Sequence, residues 1–169
     1  MSIDLDDDPL ATAHERLAEL YGRPGFMIRR AHQITISVFQ AHAGELGLTN
    51  TQFGVLYILK RYPSIDQVTL AKLLRLDRST TGTVVQTLES RGLVARDVGE
   101  ADRRRRVLAL TEDGDAMLQA VQRKSAGTSS TLLAALSPEE RQVFLGLLSR
   151  VVAHFEATEV NPGSVDSEK

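Results

Sequence analysis

The chain contains no cysteine, which excludes disulfides, thiolate metal sites and cysteine-based peroxide sensing, and agrees with a reducing cytoplasm. No apolar run approaches the roughly 20 residues that a helical membrane span needs. The acidic start Asp4-Leu5-Asp6-Asp7-Asp8 is the reverse of a basic secretory signal. Catalytic patterns are missing as well: there is no Gly-rich phosphate loop, no Gly-x-Ser-x-Gly elbow and no His-Glu-x-x-His pair. The four histidines, His14, His32, His42 and His154, are scattered. His32 and His42 stand about 15 Å apart by helical rise, too far for one metal ion. The chain therefore reads as a non-enzyme with no cofactor and no metal site, located in the cytoplasm and not in a membrane.

Basic charge is also scarce overall, but it is unevenly placed. The net charge is −2, yet residues 60–106 carry 11 Lys and Arg against 6 Asp and Glu. A local surplus of this sign in an otherwise acidic chain orients a protein toward nucleic acid. At 169 residues with 42% hydrophobic content, the chain is long enough to bury one ordinary core.

What fills the basic segment is an ordered series of signals between Thr69 and Gly114. Leu70, Ala71, Leu73 and Leu74 have helical spacing, Leu76 lies in a turn, and Asp77 stands where an N-cap is needed. In the next helix Thr81, Val84, Val85 and Leu88 make one apolar stripe. The opposite face is Ser79, Thr80, Gly82, Thr83, Gln86 and Thr87, short and hydrogen-bonding, suited to a major groove about 12 Å wide. Gly92 marks the helix end. Leu93-Val94-Ala95-Arg96 and Val107-Leu108-Ala109-Leu110 read as two strands joined by a Gly99-Glu100-Ala101-Asp102 turn. Arg103, Arg104, Arg105 and Arg106 load the tip and return arm, where a narrow minor groove attracts arginine. A hydroxyl-rich face alone is ordinary solvated surface, and an arginine run alone is an ordinary loop. Their adjacency in this order points to double-stranded DNA as partner.

The segments Leu70-Ala71-Lys72-Leu73-Leu74, Leu76-Asp77-Arg78-Ser79-Thr80, Leu88 to Arg96, Asp102-Arg103-Arg104 and Leu110 to Gly114 resemble the MarR family of bacterial transcriptional regulators. The resemblance is close over about 45 residues and extends by length and apolar spacing from 25 to 157. It implies a mainly α fold with a small β-hairpin wing, a winged helix-turn-helix joined to a helical dimerisation region. It implies DNA contacts from Arg78, Ser79, Thr80, Thr83 and Gln86 and from a wing holding Asp102, Arg103, Arg104 and Arg105, with the aspartate orienting the wing through an arginine. Two departures stand out. Gly82 falls mid-helix, costing about 1 kcal/mol of propensity against alanine, and Thr83 replaces a frequent Arg or Lys. Phosphate contacts and the wing are therefore expected to carry much of the affinity.

The organisation expected along the chain is a disordered acidic leader at 1–9, N-terminal helices at 10–48, the DNA-binding region at 49–114, C-terminal helices at 115–158 and a flexible tail at 159–169. Leu10, Leu17 and Leu20 suggest a first helix ended by Gly22, Pro24 and Gly25. Residues 26–43 form a second, apolar on more than one face and expected to be buried on more than one. Thr49-Asn50-Thr51-Gln52 is a capping box, Asp66 caps the following helix, Thr111 caps one of about 20 residues, and Ser137-Pro138-Glu139-Glu140 starts the last. Phe144, Leu147, Leu148, Val151, Val152 and Phe155 stripe that last helix. The stripe either packs against helix 26–43 or is shared between two intertwined chains, and the surplus of apolar surface favours a homodimer, as the resemblance implies.

Arg29, Arg30 and His32 are unusual within an apolar helix. With Phe53, Tyr57 and Arg61 on a facing helix, they suggest a pocket for a small aromatic carboxylate or acyl-coenzyme A effector, the ligand type of aromatic-acid and aryl-thioester responsive relatives. Pairing with carboxylates or a place at the dimer surface is the alternative for those three. A ligand-independent repressor, or a winged-helix module that docks protein and not DNA, are the competing functions.

Overall fold

The computed structural model describes residues 17–98 and 106–157, and within them Pro24 begins a helix instead of helping to end one. Helix α1 spans Ala18–Tyr21, and α2 spans Pro24–Ala43 with the proline in the first turn, where its missing N–H would have had no partner anyway. Leu10, the leader and the tail lie outside the described residues. The chain divides into two units, Met1–Thr128 and Ser129–Lys169.

In the first unit, polar side chains cap each helix of residues 49–114. Thr49 and Gln52 exchange both capping-box hydrogen bonds at the start of α3, Asn50–Arg61. Asp66 accepts from the Thr69 amide at 2.9 Å and opens α4, Gln67–Leu74. The turn then closes through Arg75, a left-handed residue at φ 53°, and Asp77 opens α5, Arg78–Ser90. Gly92, at φ 70°, reverses the chain into strand β1, Val94–Val98, which pairs antiparallel with β2, Arg106–Leu110, from Val94 opposite Leu110 to Val98 opposite Arg106. The Leu108 amide also donates to the Ile65 carbonyl at 2.8 Å, so the wing is hydrogen-bonded to the segment before α4. Helix α6, Glu112–Ser125, follows directly.

These elements surround one core. Leu56 and Leu59 of α3, Leu70 of α4, Leu88 of α5, Leu108 of β2 and Leu118 of α6 are all essentially inaccessible. Burying each such side chain contributes about 1.5–3 kcal/mol. Only Phe39 and Ala43 of α2 join this core. Met27, Ile28, Ile34 and Ile36 remain exposed in the single chain, so the second face that the sequence expects to be buried is not covered by this core. The core is already closed by α3 to α6 and the strands, so the forward part of α2 has no apolar surface within it to meet.

The helix after the wing has 14 residues, not about 20, and is followed by α7, Thr128–Leu132. The intervening Gly127 and the hydroxyl residues after it are weak helix formers. Gly127 also lies against the His42 ring, where an added Cβ would stand 3.2 Å from Cε1. In the second unit Ser137 and Glu140 form a reciprocal capping box, at 2.8 and 3.2 Å, that starts α8, Pro138–Ala157.

Two glycines give opposite expectations for the same substitution. A Cβ on Gly114 would overlap the Leu93 carbonyl oxygen and crowd Leu110, so Gly114→Ala is expected to cost about 3 kcal/mol or more, since overpacking against backbone cannot relax. A Cβ on Gly82 would stand 3.3 Å from Gln67 Nε2, the end of a flexible side chain. Gly82→Ala is expected to stabilise by up to about 1 kcal/mol through helix propensity. Urea unfolding of both variants reads the two signs.

Candidate nucleic-acid interface and adjoining cavity

Helix α5 presents the polar face that its sequence pattern implies. Thr81, Val85 and Leu88 are buried and Val84 is half-buried, while Arg78, Ser79, Thr80, Thr83, Gln86 and Thr87 are exposed. Gly82 is the exception among the residues assigned to that face: it is half-buried against Gln67 of α4. Its missing side chain thus removes nothing from the exposed stripe.

The start of α5 is held by Asp77. One carboxylate oxygen accepts from the Thr80 amide at 2.8 Å, and the other accepts from the Thr80 hydroxyl at 2.6 Å. Thr80's hydroxyl first, then its amide, hold the Asp77 carboxyl below its ordinary value of 3.8. The buried Thr81 hydroxyl donates to the Asp77 carbonyl at 2.8 Å, so a hydroxyl inside the core is satisfied by its own helix.

The far end of α5 is joined to its surroundings by Arg91, Arg96 and Glu89, whose contacts spacing does not show, and by the expected cap Thr111. Arg91 donates to the Gly47 carbonyl at 2.6 Å and to the Leu46 carbonyl at 3.2 Å. Arg96 of β1 donates through Nε to both carboxylate oxygens of Glu89, at 2.8 and 2.9 Å, which ties the wing to α5. Thr111 closes the other side: its hydroxyl donates to the Gly92 carbonyl at 2.7 Å and accepts from the Gly114 amide at 2.9 Å. Asp102, Arg103, Arg104 and Arg105, expected on the wing, lie outside the described residues, as does the pairing expected of Asp102.

The residues expected around an effector do not all come together. Arg29, Arg30 and His32 are exposed on α2. The Arg29 and Arg30 guanidinium groups lie 5.7 Å from the Phe26 and Tyr21 ring centres respectively, so local aromatic stacking occupies them. Phe53 packs between Phe39 and Tyr57, with ring centres 5.8 and 6.1 Å away. Tyr57 and Arg61 do line a cavity of about 370 Å³, together with Lys60, Asp115, Leu118, Gln119 and Gln122. The Arg61 guanidinium lies 5.5 Å from the Tyr57 ring centre. Across the cavity wall, Lys60 Nζ stands 2.8 Å from Asp115 Oδ1. The hydrogen bond from Lys60 holds the Asp115 carboxyl below 3.8. Lys60, Asp115, Gln119 and Gln122 were not anticipated. Asp115, Leu118, Gln119 and Gln122 follow the i, i+3, i+4, i+7 spacing of one helix face, a signal available in the sequence, but their convergence on Lys60 arises only in the tertiary structure.

Among the described residues no group of three or more His, Cys, Asp or Glu could hold a metal ion, and no helix is long and apolar enough to cross a membrane.

Comparison with known proteins places these features in one setting. Residues 48–105 match the model of the MarR family. A transcriptional regulatory protein for the hcr operon of Thauera aromatica is 32% identical over 158 residues, 88% of this chain and 93% of that protein. Among solved structures, BpsR of Bordetella bronchiseptica, described for regulation of its DNA binding by 6-hydroxynicotinic acid, aligns with TM-score 0.74 at 29% identity, covering 78% of this chain and 94% of that one. The transcriptional repressor CouR, solved on a 23-mer DNA duplex, aligns with TM-score 0.75 at 28% identity, covering 80% and 96%.

The Asp77 cap yields a pH expectation. A depressed folded-state value makes the cap's contribution present above about 3.8 and lost as pH falls through the lower folded value. In Thr80→Val the largest cause of the depression is gone, so the Asp77 carboxyl is expected to titrate closer to 3.8. Carboxyl carbon chemical shifts measured against pH in the two proteins check this; identical midpoints would contradict the hydrogen bond.

Proposed function

The chain belongs to the MarR family of transcriptional regulators, and from that premise we propose that it is a cytoplasmic homodimeric repressor, released from a pseudo-palindromic DNA operator by a small anionic aromatic ligand. The observation that carries the DNA reading is the exposed hydroxyl face of α5, capped at one end by Asp77 and ion-paired at the other to the wing through Glu89 and Arg96. Short side chains let the helix backbone approach the groove, and the basic wing supplies sequence-independent attraction to phosphate. The DNA contacts we assign are Arg78, Ser79, Thr80, Thr83 and Gln86 from α5, and Asp102, Arg103, Arg104 and Arg105 from the wing tip. CouR, solved on a 23-mer DNA duplex, supports the DNA-binding reading.

The dimer reading rests on α8. Val143, Phe144, Leu145, Leu147, Leu148, Val151, Val152 and Phe155 are all exposed, between 38% and 62%. An exposed apolar surface of that kind marks an association site, and a two-fold pair of such chains sets two recognition helices at half-site spacing. The ligand reading rests on the cavity at Tyr57, Lys60 and Arg61, where cationic groups beside an aromatic wall suit a carboxylate on a flat ring. The aromatic acid described for BpsR supports that class. A ligand shifts the equilibrium only by its differential affinity for the DNA-fitting and non-fitting states.

Three measurements test these assignments separately. Sedimentation equilibrium is expected to give a dimer at micromolar concentration, and Leu147→Asp with Leu148→Asp to give a monomer with weakened DNA binding. Retention in a gel shift is expected to fall steeply with salt, with a log-log slope of about −0.9 per phosphate neutralised. Aromatic carboxylates are expected to release the DNA, and Arg61→Ala to raise the concentration needed at least about tenfold, the worth of one charge-assisted hydrogen bond. A monomer, a flat salt response or a ligand-blind complex each removes one assignment without the others.

A further inference from the structure

Four hydroxyl groups exposed on α5 donate inward. Thr80 Oγ1 donates to the Asp77 carboxylate at 2.6 Å, Thr83 Oγ1 to the Ser79 carbonyl at 3.2 Å, Thr87 Oγ1 to the Thr83 carbonyl at 2.9 Å, and Ser90 Oγ to the Thr87 carbonyl at 2.8 Å. A hydroxyl has one proton and two lone pairs. With the proton directed inward, each of these exposed residues offers solvent an acceptor oxygen and, for the threonines, a methyl group. Donors toward DNA remain at Arg78, Ser79 and Gln86, nearer the start and middle of the face.

Base pairs differ in what they present to such a stripe. In the major groove guanine shows two acceptors, adenine and cytosine each show an amino donor, and thymine shows a methyl group. Acceptor lone pairs meet guanine's edge without forming a hydrogen bond and leave desolvated oxygens facing one another, which costs affinity. They pair with amino groups, and the threonine methyls pack on thymine.

Of these hydroxyls, Thr80 differs in kind. Thr83, Thr87 and Ser90 donate to helix carbonyls, which any residue at those carbonyl positions would supply. Thr80 donates to a side chain, and only a carboxylate has acceptors at both positions: one for the Thr80 amide and one for the Thr80 hydroxyl. A carboxamide in its place would keep one oxygen for the amide but put an NH2 group opposite the hydroxyl. That group can only donate, so the Thr80 oxygen would accept and its proton would turn outward.

We propose that Asp77 is a positioning residue that sets base preference at Thr80: by taking the Thr80 proton it gives Thr80 the same outward acceptor and methyl that Thr83 and Thr87 owe to helix carbonyls, and the stripe of the three then favours adenine and cytosine amino groups and thymine methyls over guanine. The inference rests on α5 being the helix that enters the groove. It adds to that reading the polarity of the contact, which residue identity alone leaves open because threonine can serve either role.

The experiment selects duplexes from a randomised library with the full-length wild-type chain and with Asp77→Asn. Asparagine is as good an N-cap as aspartate, so a melting temperature near that of wild type is expected for the variant. For the wild type, the half-site positions facing the stripe are expected to exclude guanine on the strand whose bases the stripe contacts, and uracil in place of thymine in the selected duplex is expected to weaken binding about fourfold per lost methyl. For Asp77→Asn, one position in each half-site is expected to shift toward guanine by about three- to tenfold, the worth of one hydrogen bond, with the other positions unchanged. Thr80→Val, which has neither proton nor lone pair, is expected to lose discrimination at that same position and no other. An unchanged preference profile in Asp77→Asn, or guanine selected by the wild type along the stripe, overturns the proposal while leaving DNA binding intact. Failure of the wild-type chain to enrich any duplex overturns DNA binding itself, and the proposal with it.

Discussion

The arrangement of α5, the β1–β2 wing and α6 depends on one hydroxyl, that of Thr111. It donates to the carbonyl of Gly92, just past the end of α5, and accepts from the amide of Gly114 in the first turn of α6, while the Thr111 amide donates to Leu93 at 3.2 Å. Three elements meet there: the end of α5, the base of the wing and α6, which leads away from it. The close approach requires the absence of a side chain at Gly114, whose Cβ would collide with the Leu93 carbonyl. Helix, wing and following helix are therefore held in one relation by a threonine cap that also serves as a bridge.

Given that junction, charge is used at the margins of the recognition face more than on it. The Glu89 and Arg96 pair braces the wing against α5, and Arg91 reaches back to the carbonyls of Gly47 and Leu46. The middle of the face is carried by small hydroxyls whose protons are already committed. On the reading that α5 enters the groove, committed protons would lose less freedom on binding, because the rotamer is set beforehand. An uncharged stripe also avoids holding the backbone away from the groove with long hydrated side chains.

Much of this was legible in the sequence because it is local. The caps at Thr49, Asp66, Asp77, Thr111 and Ser137 bind amides three residues on, so spacing alone identifies them. The buried stripe of α5 follows from the helical period for the same reason. What spacing could not supply are pairings between distant segments: Lys60 with Asp115, Arg96 with Glu89, and Arg91 with Gly47. Nor could it say where Gly82 faces, since a residue at the edge of a stripe turns inward or outward according to its neighbouring helix. Apolar content showed that α2 has more hydrophobic surface than a one-sided helix needs. It could not show that Ile28, Ile34 and Ile36 would stay uncovered by the core, because pattern measures how much surface wants burial and not what is available to cover it.

The same junction gives the cavity a physical route to the wing. Asp115 follows Gly114 directly, so the Lys60 ion pair grips α6 in the very turn that Thr111 caps. Leu118, Gln119 and Gln122 continue along the same helix as the far wall of the cavity. On the ligand reading proposed above, an anion among Lys60, Arg61 and Tyr57 would compete with Asp115 for the Lys60 ammonium, and parting that pair would leave the Asp115 carboxylate short of the partner that stabilises its charge. The first turn of α6 would then have reason to move, and the Thr111 hydroxyl would carry that movement to Gly92 at the end of α5. On that reading the coupling needs no long chain of residues: one ion pair, one helical turn and one hydroxyl lie between the cavity and the end of α5.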